Sequence, residues 1–130
     1  MMAAPGPAPT MAGWNLALRF GLELMALTGL AIAAWKLAPT SGRTASAIVV
    51  PIAAAVVWVV FNVVGDPSRS GEAPVEVPGW LRLLLEAAIL GGGAIAYGVA
   101  GRHDIAIAYG VVLVMHYAMS LPRLRWLLGA

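Results

Sequence analysis

Leu18-Arg19-Phe20-Gly21-Leu22-Glu23 and Leu81-Arg82-Leu83-Leu84-Leu85-Glu86 carry the same arginine and glutamate at the same spacing, inside stretches that are otherwise apolar. Charged side chains within a membrane span are costly, so a duplicated pair marks a site and a repeat at once. Outward from these segments the chain falls into four apolar blocks, residues 14–37, 45–64, 80–100 and 105–121. Each approaches the ~20 residues a helix needs to cross the hydrocarbon core. The 130 residues are 61% hydrophobic and only 11% charged. A soluble domain of this size needs a larger charged surface. The reading is all-α: an integral membrane four-helix bundle of two tandem helical hairpins, residues 14–130, after a disordered lead at 1–13. That lead has no Lys or Arg, so it lacks the basic region of a secretory signal.

Punctuation supports these boundaries. Ala38-Pro39-Thr40-Ser41-Gly42 reads as a tight turn between the first two helices, and Arg102-His103-Asp104 as one between the last two. Residues 65–79 form the one long polar stretch, whose prolines and glycines oppose a regular helix. The tail from Pro122 reads as a basic, aromatic interfacial end.

The repeat extends further in a shifted register. Gly42-Arg43 corresponds to Gly101-Arg102, Pro51 to Gly110 and Trp58 to Tyr117. Two hairpins with an even number of spans insert the same way round, which predicts a parallel repeat about an axis normal to the membrane. Arg19, Arg69, Arg82, Arg123 and Arg125 lie on one side, and Lys36, Arg43 and Arg102 on the other. That five-to-three bias places both termini in the cytoplasm.

Arg19 and Glu23 share a helix face, as do Arg82 and Glu86, and Asn15 lies one turn before Arg19. The second and fourth helices end on the same side and bring Asn62, Trp58, His116 and Tyr117 to that level. The expected site is a buried polar cluster of Arg19, Glu23, Arg82, Glu86, His116, Asn15 and Asn62. Its ion pairs are internal to each helix or cross between helices. Crossing, Arg19 to Glu86 and Arg82 to Glu23, is favoured because polar side chains link membrane helices. Gly91-Gly92-Gly93 reads as a close-packing surface, and Met25, Met115 and Met119 as lipid-facing or core residues.

Several chemistries are excluded or unsupported. Without cysteine there is no disulfide or thiolate chemistry. Two histidines make a poor metal site. No phosphate-binding loop or nucleophile elbow is present, so no cofactor is expected. A net charge of +2 with no basic face opposes nucleic-acid binding.

The chain resembles the YrdB family of small bacterial four-span membrane proteins. The resemblance is carried by the segment from Asn15 to Leu24, by Gly65-Asp66-Pro67-Ser68-Arg69-Ser70-Gly71 with Val77-Pro78-Gly79, by Leu81 to Glu86, and by His116-Tyr117-Ala118-Met119-Ser120 with Arg125-Trp126. Leu121-Pro122 departs from the tyrosine and acidic residue expected there. The resemblance implies a bacterial inner-membrane location and no activity. Three functions remain open: a structural or accessory protein (a homo-oligomer or a subunit of a membrane complex), a proton- or cation-coupled transporter of small molecules, and a membrane enzyme acting on a lipid or isoprenoid, with Glu23 or Glu86 as acid or base and His116 assisting.

Overall fold

The computed structural model describes residues 7–68 and 71–129. Among these, five helices account for most of the chain: α1 Gly13–Leu37, α2 Arg43–Val60, α3 Gly79–Val99, α4 His103–Met119 and α5 Leu121–Leu128. A 3-10 turn at Thr40–Gly42 leads into α2. Two short strands, β1 Phe61–Asn62 and β2 Val75–Glu76, pair in parallel across the polar stretch. The all-α expectation holds. Residues 7–12 have no regular secondary structure, and the rest of the expected lead, 1–6, lies outside the described residues.

The centre is the pair α1 and α3; α2 packs on α1, and α4 and α5 pack on α3. The buried stripe of α1 is Asn15, Arg19, Leu22, Glu23, Ala26, Gly29 and Ala33. That of α3 is Gly79, Arg82, Glu86, Leu90, Gly93, Ala96 and Tyr97. Both follow the three-and-four spacing of one helical face. Both are polar in their first turns and small or apolar beyond. Close approach depends on two glycines. A β-carbon on Gly93 would stand 2.8 Å from Ala26 Cα, and one on Gly29 would stand 2.8 Å from the Tyr97 ring. Gly91 and Gly92 face open space, so of the glycine run only Gly93 packs. Tyr97 and Tyr109 then stitch the helices by donating to the carbonyls of Met25 and Leu90, each at 2.7 Å.

The outer faces are apolar. Phe20, Ile48, Ile52, Leu84, Ile95, Ile107 and Val114 are all exposed, as are Met25, Met115 and Met119. Among the described residues three helices are long and apolar enough to cross a membrane, or four if α4 and α5, bent by 70°, form one broken span.

Two expectations are corrected. The second helix stops at Val60 rather than 64. Arg82 Nη1 donates to the carbonyls of Trp58 and Phe61 at 2.6 and 2.7 Å, taking acceptors that a continuing helix would use. The tail is also a helix, not simply an interfacial end. Pro122 stands in the first turn of α5, where its missing N–H costs nothing. The helix turns back so tightly that the Leu127 carbonyl touches Gly79. The turn before α4 lies at residues 100–102, shifted from the expected Arg102-His103-Asp104 because α4 already begins at His103. It closes as a Schellman motif, with Gly101 at φ 79°, Arg102 N–H on Tyr97 O at 2.9 Å and Gly101 N–H on Gly98 O at 3.0 Å.

Candidate functional site: a buried ion cluster

The opening turns of α1 and α3 lie side by side, so the two Arg-x-x-x-Glu segments meet. Around them gather the end of α4, the start of α5 and the polar stretch after β1. Among the described residues three arginines, Arg19, Arg82 and Arg123, and three carboxylates, Glu23, Asp66 and Glu86, are buried there. Their formal charges, +3 and −3, cancel. Uncompensated charge in a low-dielectric interior is prohibitive, so this balance is the first condition for the cluster to exist.

Glu86 is the hub. Its Oε1 accepts from Arg123 Nη1 and the Tyr117 hydroxyl, both at 2.8 Å. Its Oε2 accepts from Arg123 Nη2 at 2.9 Å and Arg19 Nη2 at 3.0 Å. Arg82 Nε lies 3.4 Å away. Arg123 uses its whole fork, since Nε and Nη2 also grip both oxygens of Asp66 at 2.8 Å. Such paired, charge-assisted bonds are the strongest a side chain makes. Asp66 also accepts from the Ser68 amide at 3.0 Å and the Ser68 hydroxyl at 2.9 Å. Burial pushes the Asp66 carboxyl up, but the Arg123 bonds and charge, with Ser68, outweigh it and hold the group below its ordinary 3.8.

Trp58 of α2 lies beside the two repeat arginines, with the Arg19 guanidinium 5.1 Å and that of Arg82 4.7 Å from its ring centre. These are cation–π distances. They are apt for Arg82, whose Nε and Nη2 complete no hydrogen bond among the described residues.

His116 sits in a relay of neutral groups. Its Nδ1 is 2.8 Å from Asn15 Oδ1 and its Nε2 is 3.5 Å from Arg19 Nη1. Arginine only donates, so Nε2 accepts and the proton rests on Nδ1, facing the Asn15 oxygen. Asn15 Nδ2 in turn donates to Ser120 Oγ at 3.0 Å. The imidazole is therefore neutral and links α4 to α1.

The structure thus gathers six of the seven expected residues. Of the expected crossings it makes Arg19 to Glu86, and it adds the within-helix pairs Arg19–Glu23 at 3.3 Å and Arg82–Glu86 at 3.4 Å. Asn62 is buried but works elsewhere. Its Oδ1 accepts from the Val63 amide at 2.9 Å, and its backbone carbonyl accepts from Val77 N–H at 3.0 Å, shaping the polar stretch. Asp66 and Arg123 were missed, because one reads as a turn residue and the other as an interfacial anchor. The available signal was Pro122, a helix-start residue that turns Arg123 back toward the bundle. Among the described residues no group of His, Asp and Glu is placed to hold a metal.

The family model described as "Protein of unknown function (DUF2568)" matches residues 17–114, and the chain belongs to that family. It is 37% identical over 115 residues to "Uncharacterized protein YrdB" of Bacillus subtilis (strain 168), covering 88% of this chain and 94% of that protein. No solved structure matches it.

Proposed function

We propose that this member of the DUF2568 family is a small structural or accessory protein of the bacterial cytoplasmic membrane. In this reading four spans form two tandem hairpins in a parallel repeat, with both termini and the 65–79 stretch on the cytoplasmic side. The ion cluster is the lock that ties the cytoplasmic helix ends together. One observation carries this reading: Glu86, the most central carboxylate, has both oxygens filled by Arg19, Arg123 and Tyr117. A carboxylate that carries protons or contacts substrate needs an open lone pair and a path to it. A carboxylate filled on all sides serves to hold helices in register.

The test compares wild type with Glu86→Gln and Arg123→Gln in mild detergent, reading oligomeric state and thermal unfolding across pH. Loss of stability or assembly at every pH supports the lock. Variants that fold and assemble like wild type, with loss of a titration near neutral pH, would overturn it in favour of coupled transport.

A further inference from the structure

At the end of the bundle where α1 and α5 both begin, a small cavity of about 100 Å³ lies outside the ion cluster. Trp14, Asn15, Met119, Ser120 and Arg123 are among the residues that border it. Among the described residues no carboxylate does. Asn15, Ser120 and Arg123 are 4, 3 and 1% exposed, and each keeps a donor with no acceptor among the described residues. The Ser120 hydroxyl accepts from Asn15 Nδ2 at 3.0 Å, and its own hydrogen is left over. Asn15 uses one of its two amide hydrogens in that bond. Arg123 carries five N–H groups. It gives one from Nε, one from Nη1 and two from Nη2 to Asp66 and Glu86, so the second on Nη1 is left over.

The start of α1 adds to this surplus. Its N-cap, Ala12, has no side chain that could accept a hydrogen bond, and it borders the same cavity. The Asn15 and Leu16 amides both reach the Ala12 carbonyl at 3.0 Å, which leaves those of Gly13 and Trp14 as the orphan donors of the helix start. Buried donors call for an acceptor, and a long helix turns its positive end toward the same place. A cavity walled by unspent donors on buried side chains, with no carboxylate at its edge, has the chemistry of an anion site.

We propose that this cavity holds the phosphate group of an anionic membrane phospholipid. The phosphate oxygens accept from Ser120, Asn15, Arg123 and the first amides of α1, and the acyl chains run outward over the exposed Trp14 and Met119. Asp66 and Glu86 already neutralise Arg123. The attraction therefore comes from N–H and O–H dipoles, which suits the single charge of a phosphodiester. Trp14 is an aromatic suited to the head-group level, where such a phosphate lies. The lipid source rests on the membrane reading above and not on the lock: the ion cluster can tie the helix ends whether or not a phosphate fills the cavity.

The experiment is calorimetric titration of the delipidated full chain, in uncharged detergent, with four probes: phosphatidylglycerol, diacylglycerol with the same chains, oleate and inorganic phosphate. Saturable phosphatidylglycerol binding, at least about tenfold tighter than that of any other probe, is the expected result. Ala12→Asp supplies the missing cap and sets a negative charge at the mouth of the cavity. It should bring phosphatidylglycerol down to the level of diacylglycerol while the melting temperature stays at or above that of wild type. The ion cluster is untouched in that variant, so its outcome is separate from that of the Glu86→Gln test. Equal binding of phosphatidylglycerol and diacylglycerol to wild type overturns the proposal without reference to any variant, and so does undiminished lipid affinity in folded Ala12→Asp protein. Oleate that binds as tightly as phosphatidylglycerol would overturn the phosphate assignment, and inorganic phosphate that does so would overturn the lipid assignment.

Discussion

The segments Arg19–Glu23 and Arg82–Glu86 have the same local chemistry and end in different environments. Each opens the buried stripe of a long apolar helix, and each pairs its arginine with its own glutamate. Over the second segment fold two distant pieces of chain, α5 with Arg123 and the stretch with Asp66, and Glu86 is fully enclosed. The first segment's glutamate stays at the edge of two cavities. A duplicated motif therefore does not yield a duplicated site. The shared part is what neighbours along a helix can supply; the different part is supplied by residues far away in sequence.

The largest effect should come from removing the hub. Glu86→Gln leaves buried arginines uncompensated and should cost about 3–5 kcal/mol, read from thermal or denaturant unfolding in detergent. Glu23→Gln should cost clearly less in the same assay, and equal losses would break the comparison. Next, a double-mutant cycle on Asp66→Asn and Arg123→Gln should show a coupling of about 0.5–3 kcal/mol, because one fork joins them. Additive losses would mean that α5 does not seal the second segment.

Gly79→Ala should cost about 1–3 kcal/mol through overpacking, since the new methyl would collide with the Leu127 carbonyl and push α5 away. Trypsin cleavage after Arg123 or Arg125 should then accelerate. Acid should reveal the depressed Asp66. A carboxyl held below 3.8 in the folded state contributes stability that is fully present above 3.8 and is lost as pH falls through the lower folded value. Melting temperature should therefore be level from about pH 8 to pH 5 and fall in stronger acid, and Asp66→Asn should blunt that fall. The smallest effect is Gly21→Ala, between Arg19 and Glu23. Nothing lies within 4 Å of the new methyl, so the helix should gain up to about 1 kcal/mol. A loss there would mean that this face of the first segment is covered after all.

Much of this was legible along the chain. Apolar blocks between turns of Pro and Gly located α1, α3 and α4 to within a few residues, because the length of an apolar run and helix punctuation are local properties. The convergence of Asn15, Arg19, Glu23, Arg82, Glu86 and His116 followed from helical spacing plus the alternating direction of successive helices. The apolar run carries α2 through 64 and with it Asn62 into the cluster, whereas the helix stops at Val60. Carbonyls claimed by an arginine 24 and 21 residues later leave no trace in local propensity.

The sequence by itself determined that the protein is helical and apolar, where α1 to α4 begin to within two residues, and which helix faces are polar in their first turns. These follow from residue period and from the cost of burying charge. Tertiary structure alone decided which carboxylate is enclosed. Enclosure requires α5 to turn back over Gly79 and the Asp66 carboxylate to meet Arg123, 57 positions away. No periodicity encodes that meeting; it comes from the need of each buried charge for a partner, met by whichever residue the fold brings within reach.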